Sequence, residues 1–215
     1  MVMLSTNANQ PLSDPPPRRR GRAATRKRIL SAASGILLTD GYARLTMERV
    51  ATESGTAKTT VYRWWPNKAA LCMDLYLDVS ERELRPPNTG DIAGDLKEIA
   101  KTVVRLQTKS VAGPAFIGLL TEAQLSPDSR PAFLAEFAER RRAATRSVLR
   151  RAIERGELSV HTDIDVVIDA LGGAITFRLL QGHAILNSRF TDAVVDLVLY
   201  GCKIRDSTSL EGLRE

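Results

Sequence analysis

Histidine, cysteine and long apolar runs are scarce in this chain, and each shortage removes a class of chemistry. The two histidines, His161 and His183, lie far apart with no Cys or carboxylate at ligand spacing, so neither a metal set nor a nucleophile with its base is in view. Each reads as a surface or core-edge residue. Cys72 and Cys202 sit singly in helical patterns without a Cys-x-x-Cys pair, as reduced core or interface residues of a cytoplasmic protein do. No apolar stretch approaches the roughly 18 residues that mark a bilayer span, and the N-terminus lacks the apolar segment of an export signal. The glycines at 172, 173 and 182 follow no strand and so make no phosphate-binding loop. Nothing alternates with the period of a half-buried strand. These shortages argue against an enzyme, a cofactor, a metal centre and a membrane protein, and the expected fold is all-α.

What the chain does have is unevenly placed charge. Its net charge is +6, and residues 1–80 hold 12 Lys or Arg against 6 Asp or Glu, while residues 81–215 hold 19 of each. A polyanion-binding head on a neutral body is the simplest account. Residues 1–22 are polar and Pro-rich and end in Pro17, Arg18, Arg19, Arg20, Gly21 and Arg22, too little apolar content to bury anything. They are expected to form a disordered basic arm, whose arginines either enter a minor groove or touch phosphates as a solvated tail. A first helix is expected from Thr25 to Thr39, burying Ile29, Ala33, Ile36 and Leu37 and stopping at Gly41. Arg26, Lys27 and Arg28 then occupy its first turn, where cations oppose the helix dipole and a phosphate would relieve the conflict; a solvated basic turn is the alternative.

Residues 46–65 organise the head. Thr46 is a good N-cap, Val50 and Ala51 give a short helix its apolar stripe, and Gly55 takes a left-handed turn at little cost. A second short helix restarts at Thr56 or Ala57 and plugs Val61 into the core. This is the grammar of a helix-turn-helix. The second helix turns Lys58, Thr59, Thr60, Tyr62 and Arg63 outward, the cation, hydroxyl and guanidinium groups that reach phosphates and base edges from a major groove. Pro66 ends it, Asn67 caps the next helix and Lys68 falls in that helix's first turn.

These pieces together, Ile29-Leu30-Ser31-Ala32-Ala33, Gly41-Tyr42, Thr46, Val50-Ala51, Gly55 and Tyr62 through Leu71, resemble the DNA-binding domain of the TetR family of bacterial transcriptional regulators. Two departures stand out. Ala57 occupies the usual place of a capping Ser, so capping shifts to Thr56 or weakens, and Trp64-Trp65 replaces the commoner His-Phe. The resemblance implies a three-helix N-terminal helix-turn-helix domain on a helical C-terminal ligand-binding and dimerisation domain. It divides the chain into the arm at 1–22, the DNA-binding domain at 23–70, the ligand-binding and dimerisation domain at 71–205 and a tail at 206–215.

The body reads as helices throughout. One runs from Asn67 to about Arg85, breaking at Pro86-Pro87. The next, from about Asp91 to Lys109, carries Ile92, Leu96, Ile99, Val103 and Leu106. A nearly uncharged helix opens at Pro114 and runs through Leu125, and Ser126 to Ser129 form a loop. The helix after Pro131 ends at Gly156, placing Phe133, Phe137, Ala144 and Val148 inward and showing its arginines mostly as a solvated face. The last two helices, Asp163 to about Leu186 and Thr191 to about Lys203, are apolar all round, and such helices need cover all round. A second subunit is the expected source of that cover. Glu122-Ala123-Gln124 before Pro127, and Arg155-Gly156-Glu157-Leu158, resemble one C-terminal subgroup of the same family.

The resemblance also assigns roles. Lys58, Thr59 and Arg63 are expected at base edges, and Thr46, Thr60, Tyr62, Trp64 and Lys68 at phosphates of double-stranded DNA, with core packing as the alternative for Trp64 and the preferred role for Trp65. The family's body holds an apolar small molecule whose binding releases DNA. Phe116, Leu119, Gln124, Phe133, Phe137 and Phe177 are the residues expected around it, against ordinary core packing as the alternative. A regulator with no small-molecule ligand, controlled by a protein partner or by expression level, remains the other reading.

Overall fold

Proline at a first helical position loses nothing, because its missing N–H would be unpaired there anyway. In the computed structural model, which describes residues 17–125 and 137–201, α1 accordingly begins at Pro17 and runs Pro17–Asp40. It starts eight residues before the expected Thr25, so residues 17–22 are helical rather than part of a disordered arm. Arg26, Lys27 and Arg28 then lie in the interior of α1, away from its first turn. The rest of the expected arm, Phe133, Cys202 and the expected tail fall outside the described residues.

Asp40 leads into a 3-10 turn, Tyr42–Arg44, and then α2, Met47–Glu53, and α3, Lys58–Trp64. Thr46 caps α2 as its sequence position requires, its hydroxyl accepting from Arg49 N–H at 3.2 Å. Gly55 has φ 60°, the left-handed corner between the two helices. Ala57 caps α3 without any side-chain hydrogen bond, so the cap is weakened, not moved. The body follows as α4, Lys68–Glu83, α5, Ile92–Lys109, α6, Ala112–Leu125, α7, Glu139–Glu154, α8, Ile164–Gln181, and α9, Ser188–Tyr200. Among the described residues there is no strand. Asn67 caps α4 and Asp91 caps α5 through their side chains.

Apolar side chains gather into two cores. One joins Ile29, Ala33, Ile36, Val50, Val61 and Trp65 of the head to Leu71 and Tyr76 of α4 and to Phe116 and Leu119 of α6. The other binds α5, α7, α8 and α9 through Leu96, Ile99, Val148, Leu149, Ile168, Ile175 and Val195. The head therefore has no core of its own, and a division at residue 70 cuts through α4. On α5, Val104 is buried and Val103 only half-buried. The arginines of α7 are mostly not a solvated face: Arg142 and Arg146 pair with Asp165 of α8, Arg142 also with Asp169, and Arg151 and Arg155 flank Asp95 of α5. Loop carboxylates help too, since Glu157 accepts from Ile92 N–H at 2.6 Å and so caps α5 from beyond α7.

Head and body meet at Gly118. Here any side chain forces a shift, because a Cβ would lie well inside van der Waals contact of the Tyr42 ring. Tyr42 uses the notch to reach Glu122, donating to its Oε2 at 3.1 Å, and Lys68 Nζ lies 4.3 Å from the ring centroid and 3.9 Å from Glu122 Oε2. Burial, helped by the Glu122 charge and hydrogen bond, pushes the phenol well above its ordinary pKa, so it stays a neutral donor. Gly118→Ala should destabilise the protein by about 1–3 kcal/mol through overpacking. In a Tyr42→Ala background the same change should cost nothing further in urea unfolding; an equal cost in both would mean that the ring and the notch do not matter to each other.

Candidate nucleic-acid interface

On α3 the inward residues are Val61, fully buried, and Trp65 just after the helix, which is buried and donates its indole N–H to Asp74 Oδ2 at 2.9 Å. Asp74 also takes both oxygens' worth of Arg26 at 2.6 and 2.7 Å, fastening α1 and the end of α3 to α4. A second clamp, Arg49 with Asp40 at 2.6 Å and Glu53 at 2.7 Å, ties α1 to α2. The end of α3 is thus held to α4, and α2 to α1. Sequence reasoning missed these clamps, since Arg26 reads like its neighbours Lys27 and Arg28 until Asp74 is placed beside it.

Fixing Val61 inward leaves Lys58, Thr59, Tyr62 and Arg63 exposed together, with Thr60 and Trp64 half-buried at the flanks. Trp64 packs edge-on to Trp65 at 5.6 Å between centroids, which leaves only part of it for a phosphate. Thr46 is exposed at the start of α2, with its oxygen engaged as the cap and its O–H free to donate. Glu48 organises this face: it accepts from the Tyr62 hydroxyl at 3.1 Å and lies 3.9 Å from Lys58 Nζ. Its own backbone N–H, then the Tyr62 hydroxyl, hold its carboxyl below the usual range. In the free protein this carboxylate steadies Lys58 and Tyr62 where a phosphate would otherwise compete. Lys68 is different, turned inward between Tyr42 and Glu122 and half-buried.

The residues expected around a ligand separate. Phe116, Leu119 and Phe137 are buried, Phe116 and Phe137 packing with Tyr76 at centroid distances of 4.7 to 6.1 Å, so these rings fill the space they were expected to surround. Gln124 is exposed. Phe177 is 60% exposed on the outside of α8, with its ring beside His183 rather than in the interior. Cys72 is buried beneath the head, and burial pushes its thiol up to about 12, an inert state.

A helix-turn-helix on a helical body is also what known proteins of this shape show. Residues 29–74 match the family model described as bacterial regulatory proteins, tetR family, and residues 86–198 match the tetracyclin repressor-like C-terminal domain. The chain is 34% identical over 194 residues to the uncharacterised HTH-type transcriptional regulator YdeS of Bacillus subtilis (strain 168), covering 89% of this chain and 96% of that one. It belongs to the TetR family. The DNA-binding transcriptional repressor TetR of Mycobacteroides abscessus is 30% identical over 173 residues, covering 80% of this chain and 90% of that one. Among solved structures, the TetR family regulator SCO0332 superposes with a TM-score of 0.71 at 36% identity, over 84% of this chain and 99% of that one. The transcriptional regulator FadR of Bacillus subtilis, solved in complex with stearoyl-CoA, shares the fold at a TM-score of 0.62 and 17% identity, over 82% of this chain and 99% of that one. As a TetR family member the protein is a DNA-binding transcriptional regulator, and its relatives are regulators, not enzymes. No helix among the described residues is long and apolar enough to cross a membrane.

Proposed function

We propose that the protein is a repressor that binds a palindromic operator as a twofold homodimer in the cytoplasm and is released by a small molecule held in its body. The observation that carries the DNA half is the single exposed face of Lys58, Thr59, Tyr62 and Arg63 on a helix tied to α4 through Trp65 and Asp74 and to α2 through Tyr62 and Glu48. Phosphates are met by Tyr62, Thr46, Thr60 and Trp64, and by Lys68 once Glu122 lets it go. Base edges fall to Lys58, Thr59 and Arg63.

The dimer rests on the outer faces of α8 and α9. Val166, Ala170, Gly173, Phe177 and Leu180 are all exposed and recur at helical spacing along α8, and Ala193, Leu197 and Tyr200 do the same on α9. Two uncharged stripes side by side suit a self-complementary twofold contact. Phe177 thereby moves from the ligand to the partner.

The ligand half finds support in a cavity of about 50 Å³ between α5, α7 and α8, away from the filled aromatic cluster. That filled cluster favours the second reading, a regulator without a ligand, for the region around Phe116. Arg63→Ala tests the DNA assignment: it should relax preference at one or two base pairs at a cost of about 1–3 kcal/mol in titrations against operator variants. A loss of the same size on every variant would make Arg63 a phosphate contact.

A further inference from the structure

Arg141 in α7 is half-buried, and among the described residues it makes neither a hydrogen bond nor an ion pair. Its guanidinium lies over the Phe116 ring, 4.9 Å from the centroid, and reaches Gly172 of α8, where a methyl would sit 3.8 Å from Nη2. The carboxylates closest to it on α8 are already engaged. Asp169 holds Arg142 at 2.6 Å, and Asp165 is shared by Arg142 and Arg146, each at 3.0 Å. Burial lowers the guanidinium's pKa, the direction expected of a cation short of a counter-charge. A charge drawn partly out of water without a partner costs more than a solvated one, and a ligand's opposite charge can supply that partner.

The same guanidinium lines the cavity between α5, α7 and α8, whose walls are otherwise apolar, Leu96, Ile99, Ile168, Leu171 and Ile175, apart from Thr145 and the paired Arg142. We infer that the effector is a carboxylic acid with an apolar body, its carboxylate on Arg141 and its hydrocarbon against α5 and α8. The inference rests on the reading of the body as an effector site and names the chemistry of that site. A guanidinium presents two parallel N–H donors that match a carboxylate, and the Thr145 hydroxyl on the same wall of α7 adds a donor. One unpaired cation balances one negative charge, which suits a monocarboxylate better than a phosphate. The cavity of about 50 Å³ exceeds the roughly 10–15 Å³ a single water requires and admits the acid's head, while a longer chain has to part α5 from α8. Drawing the guanidinium into the cavity uncovers Phe116, which packs on Tyr76 of α4, the helix whose first residue is Lys68.

The test uses the full chain and calorimetric titration with butyrate, octanoate and benzoate, each beside its neutral amide. At least one acid should bind about tenfold or more tighter than its amide, and Arg141→Met should erase that difference while leaving the amide's affinity unchanged. Unliganded Arg141→Met should melt at or above the parent's temperature, because it removes an uncompensated charge and keeps most of the volume. The inference is overturned if acid and amide bind alike, if none of the acids binds, or if Arg141→Met lowers the melting temperature by several degrees, which would reveal a structural partner. Amides that bind and release DNA as well as acids do would remove the carboxylate and leave the effector reading standing.

Discussion

Leu197→Asp should turn an operator-binding dimer into a folded monomer that no longer holds its operator. Leu197 is 49% exposed in the single chain, so a carboxylate there faces water until a second subunit arrives. In the dimer two such charges would meet across the twofold axis in an apolar contact, and burying them unpaired costs more than the contact yields. A dimer also links two recognition helices, set roughly 34–36 Å apart on undistorted DNA, so losing the link should weaken operator binding by about 10²–10⁴-fold. The opposite face of α9 supplies the control. Val194 is only 9% exposed and packs with Val195 in the protomer's own core, so a charge there unfolds the chain instead of dividing the dimer. Lys97 with Asp196 at 2.8 Å and Lys101 with Asp192 at 3.5 Å hold α9 to α5 and are untouched by the Leu197 change. Sedimentation at micromolar concentration should give a dimer for the parent and a monomer with an unchanged melting temperature for the variant. A dimeric variant would place the interface elsewhere.

Asp95→Ala should destabilise the protein by about 3 kcal/mol, the lower end of the range for breaking a buried ion pair. Asp95 is 0% exposed and does two things at once. It accepts from Thr89 N–H at 2.6 Å and from the Thr89 hydroxyl at 2.9 Å, which pins the loop between α4 and α5. It also faces Arg151 at 3.5 Å and Arg155 at 3.8 Å, which fastens α7. Arg151 further donates to Pro87 O in the same loop. The two arginine side chains keep 32% and 30% of their surface, so water recovers part of the loss and the lower figure applies. Asp95→Asn, which can still accept from Thr89, should cost distinctly less. Urea unfolding that shows under about 1 kcal/mol for Asp95→Ala would mean the network is idle.

The head was legible because its signals are local. A cap at Thr46, a corner at Gly55, a plug at Val61 and a stop at Pro66 act within a few residues of one another, and spacing alone sets which side chains of α3 face out. Helix order in the body was legible for the same reason. What spacing could not show was partnership across the fold. Arg26 looked like a free basic residue until Asp74 came beside it, and the α7 arginines looked solvated until α5 and α8 supplied carboxylates. Phe177 sits on the apolar α8 and Phe137 just before the arginine-rich α7, yet the first lies outside and the second inside, a difference made by how the helices pack and invisible in either residue's neighbours. The start of α1 is hidden in the sequence because a proline-rich stretch signals an extended chain, whereas its last proline is also a sound first residue for a helix.

The central claim is that α3 reads a symmetric DNA sequence, and footprinting the full chain on DNA flanking its own gene tests it most directly. The account predicts one protected stretch with twofold symmetry. Protection should weaken steeply with added salt as counterion release demands, and base pairs within each half-site should stop mattering when Arg63 becomes alanine. Uniform, sequence-independent coverage, or a footprint that Arg63→Ala, Lys58→Ala and Thr59→Ala all leave unchanged, would contradict it.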